Sequence, residues 1–244
     1  MGFSHDLLQA SAAYFPAVGW VIGIASASVF WVISHLLPAA SAAPWVAAVM
    51  STIFSVLMTG GFHEDGLADV ADGLGGVGST GGEDVRHALE IMKDSRIGAF
   101  GAMALVLALM AKVSVLGLIG QIDIWTASFA LFSGHVVSRF WPLLLIRTLP
   151  YVAELAGSKS KPLAERISGA SLLIAGLWLF AALGLVIGLQ YSFCWLSGFA
   201  LSAVGCFWMY RLFKRRLGGF TGDCLGATQQ VCEITFLLGI AFAL

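Results

Sequence analysis

This sequence predicts an all-α integral membrane protein: a polytopic bundle of about seven transmembrane helices with its N-terminus in the cytoplasm. Three observations carry that reading. Of 244 residues, 59% are hydrophobic and 11% are charged, less than half the roughly 25% charged share of a soluble domain. Several apolar runs reach the roughly 20 residues that cross a bilayer core. The basic residues are also confined to alternate connections, which sets an orientation.

The hydrophobic spans fall near 16–37, 44–62, 98–120, 124–147, 169–190, 192–212 and 225–244. The first follows "MGFSHDLLQA", which lacks the basic start and cleavage site of a signal peptide, so that span is expected to stay. The second, "WVAAVMSTIFSVLM", runs directly into an acid-rich stretch. The fifth and sixth are separated only by "QYSFCW". Gly, Ala and Ser recur throughout, which suits close helix packing in lipid. The chain reads as a single membrane domain over 1–244. It has no internal repeat, and its asymmetric loop lengths argue against an inverted-repeat transporter.

Segments 38–43, 121–123 and 191 contain no Lys or Arg, whereas the other connections and their flanks hold 11 of the 13. Because Lys and Arg resist translocation, loops 63–97, 148–168 and 213–224 are expected on the cytoplasmic side of an inner (plasma) membrane, with the active site there. A net charge of −1 gives no reason to expect nucleic acid as a partner. Cys194, Cys206, Cys224 and Cys232 form no CxxC pair, and they read as small buried hydrophobes.

In "HEDGLADVADG" the acids Asp65, Asp69 and Asp72 stand at i, i+4 and i+7, within about 60° of one another on a helix. Like charges so placed destabilise a helix unless something neutralises them. Mg²⁺ does so, because it favours carboxylate oxygens while retaining water and a substrate phosphate. Gly66 and Gly73 clear side chains from beside the acids. The plain alternative, a solvated acidic loop, does not account for three acids on one stripe against a membrane. His63 precedes them as a base, a ligand, or an interfacial histidine without a role.

In "IMKDSRIG" at 91–98, Asp94 can add a metal ligand while Lys93 and Arg96 hold phosphate oxygens. Simple anchoring of a span is the other reading of those two cations. In "GGFTGDCLGA" at 218–227, the glycines supply a turn whose N–H groups can cradle phosphate, and Asp223 is either a functional acid or an N-cap. Within the spans, Lys112, His135, Arg139 and Glu233 are costly unless they pair or face a cavity. Gln229 and Gln230, one turn before Glu233, share its polar face.

Together, "TGGFHEDGLADVADG" at 59–73, "EIMKDSRIGAFG" at 90–101 and "GGFTGDCLGA" resemble the cobalamin synthase family, the adenosylcobinamide-GDP ribazoletransferases. The similarity covers nearly the whole chain, including Ser138–Arg139. It implies an inner-membrane enzyme of the last stage of vitamin B12 assembly. Such an enzyme joins adenosylcobinamide-GDP to α-ribazole or its 5′-phosphate, releases GMP and uses Mg²⁺. On this basis Asp65, Asp69, Asp72 and Asp94 are expected to hold metal. Asp72, Asp223 and His63 are the candidates for proton transfer. Lys93, Arg96, Arg139, Gly219, Thr221 and Gly222 are expected to contact substrate. Membrane lipid surrounds the protein, and a homo-oligomer or an association with other cobalamin-assembly enzymes is compatible with the family. Glu64 stands where relatives commonly carry an apolar residue, so no role is carried onto it. Two other classes compete: a CDP-alcohol phosphotransferase, whose metal motif has a different spacing, and a divalent-cation transporter.

Overall fold

The computed structural model describes residues 9–75, 82–153, 165–190 and 192–244. Lys159 and Lys161, and with them the middle of the 148–168 connection, lie outside the described residues. A 3₁₀ turn at Ala12–Tyr14 leads into α1 (Phe15–Leu36), α2 (Ala43–Thr59), α3 (Phe62–Gly75), α4 (Gly82–Ile91) and α5 (Ala99–Ile122). There follow α6 (Ile124–Thr148), α7 (Gly169–Gln190), α8 (Cys194–Arg216) and α9 (Gly222–Ala241). The expected helical membrane architecture is borne out.

The helix starts are written locally. Pro16 and Pro44 occupy the first turns of α1 and α2, where a missing N–H costs no hydrogen bond. Asp123 caps α6, its Oδ2 accepting from Thr126 N at 2.6 Å and from Thr126 Oγ1 at 2.7 Å.

Among the described residues, six segments are long and apolar enough to cross a membrane on their own: Gln9–Leu36 and the helices α5 to α9. The expected span at 44–62 turns out differently. Helix α2 has 17 residues and ends at Gly60; Gly60 and Gly61 have φ of 71° and 70°, and α3 departs at 89° to α2. Two consecutive left-handed residues make a corner that only glycine accepts without strain. The acid-bearing α3 therefore runs across one end of the bundle instead of continuing the span.

That end is shared by the last turns of α2, α6 and α8 and the first turns of α5, α7 and α9. Phe220 N donates to Pro150 O at 2.9 Å and Val152 N to Phe220 O at 3.0 Å, closing a short parallel bridge. Arg216 Nη2 donates to Leu74 O at 3.0 Å, tying α8 to the end of α3. Among the described residues, every Lys and Arg except Lys112 and Arg139 lies in the connections and flanking turns at this end.

Helix α6 forms the centre, with 83% of its most apolar stretch buried against 22% for α5 and 28% for α7. Glycines let α1 reach its backbone: a Cβ at Gly23 would lie 2.6 Å from Phe132 O. The outer helices turn large apolar side chains outward, including Leu107 at 66% exposed and Leu177 at 63%. Such a surface suits lipid tails and would be a liability in water.

Candidate functional site

The acids of α3 part company once the helix is docked. Glu64 turns into the bundle, where its Oε1 accepts from Gln230 Nε2 at 3.0 Å. Asp65 is exposed and Asp69 half-buried. Helix α9 brings Asp223 against the same stretch. Gly66 makes this possible, because a Cβ there would lie 2.8 Å from Asp223 O and 3.0 Å from its Cα. Two segments far apart in sequence thus place Asp65, Asp69 and Asp223 in one neighbourhood.

The electrostatic result is read at Asp69. Burial, then the negative charges of Asp223, Asp65 and Asp72, push its carboxyl up to about 7. A carboxyl that keeps its proton near neutrality marks a place where a cation is wanted. Among the described residues, no three His, Cys, Asp or Glu side chains converge tightly enough to hold an ion by themselves. A cation here would need oxygens from the substrate to complete its shell.

Asp72 is already engaged. Its Oδ2 accepts from Gly98 N at 2.7 Å and its Oδ1 from Gly101 N at 2.8 Å, so it supplies the missing acceptors for the first turn of α5. A Cβ on Gly98 or Gly101 would overlap that carboxylate. The glycines of "RIGAFG" are therefore explained by Asp72.

Asp94 is held by its neighbour. Arg96 Nε donates to both of its oxygens at 3.0 and 3.1 Å, and Arg96 N to Oδ1 at 3.1 Å. These bonds hold the Asp94 carboxyl down at about 2. Lys93 and Arg96 are exposed in the turn between α4 and α5.

In the turn before α9, the three predicted substrate contacts take different positions. Gly219 packs so closely on Pro150 O and Val152 Cγ1 that any side chain would overlap them. Thr221 caps α9, its hydroxyl accepting from Cys224 N at 3.3 Å and approaching Asp223 Oδ2 at 3.4 Å. Gly222 faces open space. It lines a cavity of about 440 Å³ between α1, the α2–α3 corner, α6 and α9, together with Phe15, Phe62, Leu225, His63 and Arg139. Burial, followed by the Arg139 cation, lowers His63 to about 3, which leaves its imidazole neutral.

Beneath the cavity runs a buried polar chain. Lys112 Nζ lies 2.7 Å from Glu233 Oε1. Gln229 Nε2 donates to Glu233 Oε2 at 2.7 Å and to Ser138 Oγ at 2.9 Å. Gln230 Nε2 reaches Gln229 Oε1 at 2.9 Å as well as Glu64. Arg139 Nη1 donates to His135 O at 2.9 Å. Lys112, Arg139 and Glu233 are thus partnered, while His135 meets Arg139 Nη1 through Nδ1 at 3.1 Å and keeps its buried Nε2 without a hydrogen bond among the described residues. The Glu64–Gln230 link was missed by sequence reasoning, because Glu64 stands off the Asp65–Asp69–Asp72 stripe, at a position given no role, and its partner lies 166 residues onward.

The chain matches the cobalamin-5-phosphate synthase family over residues 2–241. It is 52% identical to an adenosylcobinamide-GDP ribazoletransferase of Polaromonas sp. (strain JS666), across all of this chain and 89% of that protein. A protein of the same name from Polaromonas naphthalenivorans is 50% identical, across all of this chain and 90% of its own length. One from Leptospira interrogans is 38% identical, across 98% of this chain and 87% of its length. No solved structure matches.

Proposed function

Since the chain belongs to the cobalamin-5-phosphate synthase family, we propose that it joins adenosylcobinamide-GDP to α-ribazole or its 5′-phosphate. The products are adenosylcobalamin or its 5′-phosphate, and GMP. A ribose O–H loses its proton, its oxygen bonds to the phosphorus nearer cobinamide, and the bond from that phosphorus to GMP breaks. Such a transfer is chiefly positioning and charge neutralisation around an in-line displacement. The observation that carries the site assignment is Asp69, half-buried among the charges of Asp65, Asp72 and Asp223 at the basic end of the bundle.

Magnesium fits this neighbourhood. The donors are hard carboxylate oxygens, and they leave shell positions for water and pyrophosphate. Asp65, Asp69 and Asp223 would hold the ion, which when bound neutralises charge on the pyrophosphate. Asp223, steadied by Thr221, takes the ribose proton, and Asp72 positions α5 through the Gly98 and Gly101 amides. Arg96 and Lys93, exposed at the same end, offset charge on the departing GMP. The basic residues gathered there support a cytoplasmic site at the inner membrane.

Purified protein given adenosylcobinamide-GDP, α-ribazole and Mg²⁺ should release GMP. Asp69→Asn and Asp223→Asn should each lower turnover by roughly 100-fold or more, the scale of a lost metal carboxylate. Wild-type turnover in both variants at saturating Mg²⁺ would overturn the assignment. A CDP-alcohol phosphotransferase would need a CDP-linked donor, and a cation transporter would give no GMP.

A further inference from the structure

We infer that the cavity between α1, the α2–α3 corner, α6 and α9 seats the aromatic base of α-ribazole, leaving its ribose beside Asp223. This rests on the reading above that α-ribazole is the acceptor substrate.

Position comes first. Gly222, Leu225, Gly226 and Gln229 line the cavity at the i, i+3, i+4, i+7 spacing of one helix face. Asp223 lies about 100° round α9 from Gly222, on the side that meets Gly66 of α3. Phe62 and His63, also in the wall, open the helix that carries Asp65 and Asp69. A nucleoside whose base fills the cavity therefore has its sugar next to the acid cluster.

Chemistry then chooses among the groups the substrates offer. At about 440 Å³ the cavity falls within the range of small-molecule sites. A corrin ring with its amide side chains is far too large for it. Guanine carries donors and acceptors along nearly every edge, and most of this wall could not answer them. The benzimidazole of α-ribazole is a flat, largely apolar bicycle with one acceptor nitrogen. The cavity matches that pattern: apolar surface from Phe15, Phe62 and Leu225, and a few polar groups from His63, Arg139 and Gln229. Gln229 is already committed to Ser138, Glu233 and Gln230. Arg139, only 5% exposed, brings a planar guanidinium that can stack on the ring or donate to its nitrogen.

The cavity also borders the lipid-facing surface, since its wall includes Val18 at 49% and Met58 at 44% exposed. An acyl chain is therefore the rival occupant. It would set hydrocarbon against Arg139 and His63, which gain nothing from it.

Gly222→Leu tests the seat from α9, because a Cβ there meets nothing within 4 Å and the side chain extends into the space. Val18→Trp tests it from the opposite wall. Each variant, checked for a wild-type melting midpoint in detergent, should raise KM for α-ribazole at least tenfold. KM for adenosylcobinamide-GDP should stay within twofold. Calorimetric titration with α-ribazole, which needs no turnover, should show the same loss of affinity. An imidazole riboside, lacking the fused ring, should bind wild type at least tenfold more weakly than α-ribazole. Unchanged α-ribazole KM and affinity in both variants would overturn the inference. So would a rise confined to adenosylcobinamide-GDP, or loss of a co-purified phospholipid with α-ribazole affinity intact. If wild type released no GMP, the functional reading would fail; if it also failed to bind α-ribazole, the inference would fail with it. Normal turnover with indifferent variants would sink the inference alone.

Discussion

The carboxylate of Asp72 occupies the space where a side chain on Gly101 would stand, and its Oδ1 accepts from the Gly101 amide at 2.8 Å. One acid of α3 therefore organises the start of α5. Gly101→Ala should displace that carboxylate and lower the melting midpoint in detergent. Asp72→Asn, which presents an NH₂ to one of two amides, should cost roughly 1–3 kcal/mol by the same measurement. Both losses should persist without Mg²⁺, because amides and not metal are the partners.

Asp69 makes stability depend on pH with a definite sign. Its carboxyl titrates near 7 in the folded protein and near 3.8 in an ordinary aspartate. Between those values the folded state binds the extra proton, so this contribution to stability is lost as pH rises from about 4 to about 7. Melting midpoints measured across that window should fall for the wild type, and the slope should flatten in Asp69→Asn. Saturating Mg²⁺ should restore the midpoint most at the alkaline end, where the cation has no proton to displace.

The Lys112–Glu233 pair is almost fully buried, at 1% exposed for each residue. Removing one partner strands a charge inside the bundle. Lys112→Met should cost about 3–5 kcal/mol, and Lys112→Met with Glu233→Gln should recover much of it. A double-mutant cycle on thermal unfolding in detergent would measure the coupling.

Arg96 is exposed and bonded to Asp94 two residues away. Exposed pairs contribute little to stability, so Arg96→Ala should leave the melting midpoint unchanged. If Arg96 offsets charge on the leaving nucleotide, kcat for GMP release should fall while KM for α-ribazole stays. An unchanged kcat would make it a membrane anchor only.

Much of this architecture was legible from hydropathy, because a bilayer imposes length and apolarity on each span separately. The exception, 44–62, shows the limit: "TGGF" reads as the tail of an apolar run until two left-handed glycines turn it. The candidate site was legible as residue types more than as partnerships. Asp65 and Asp69 fall on one stripe and remain together. Asp72 shares that stripe, yet its partners lie 26 and 29 residues onward at amides that no side-chain pattern marks. Lys112, Arg139 and Glu233 stood out because charge within a span must be answered. Which group answers each depended on helix rotation, which periodicity leaves undetermined.

The glycine corner bears on how the protein meets membranes of different thickness. With 17 residues, α2 is the shortest of the apolar helices, about 26 Å against roughly 36 Å for α5. A short span answers mismatch by shifting its tilt. Because Gly60 and Gly61 sit between α2 and the acids, and α3 is seated on α5 and α9 instead, that tilt need not be handed on to the aspartates. Turnover in vesicles of short- and long-chain phosphatidylcholine should differ less in the wild type than in Gly60→Ala/Gly61→Ala, whose stiffer corner would make the chemistry feel the bilayer.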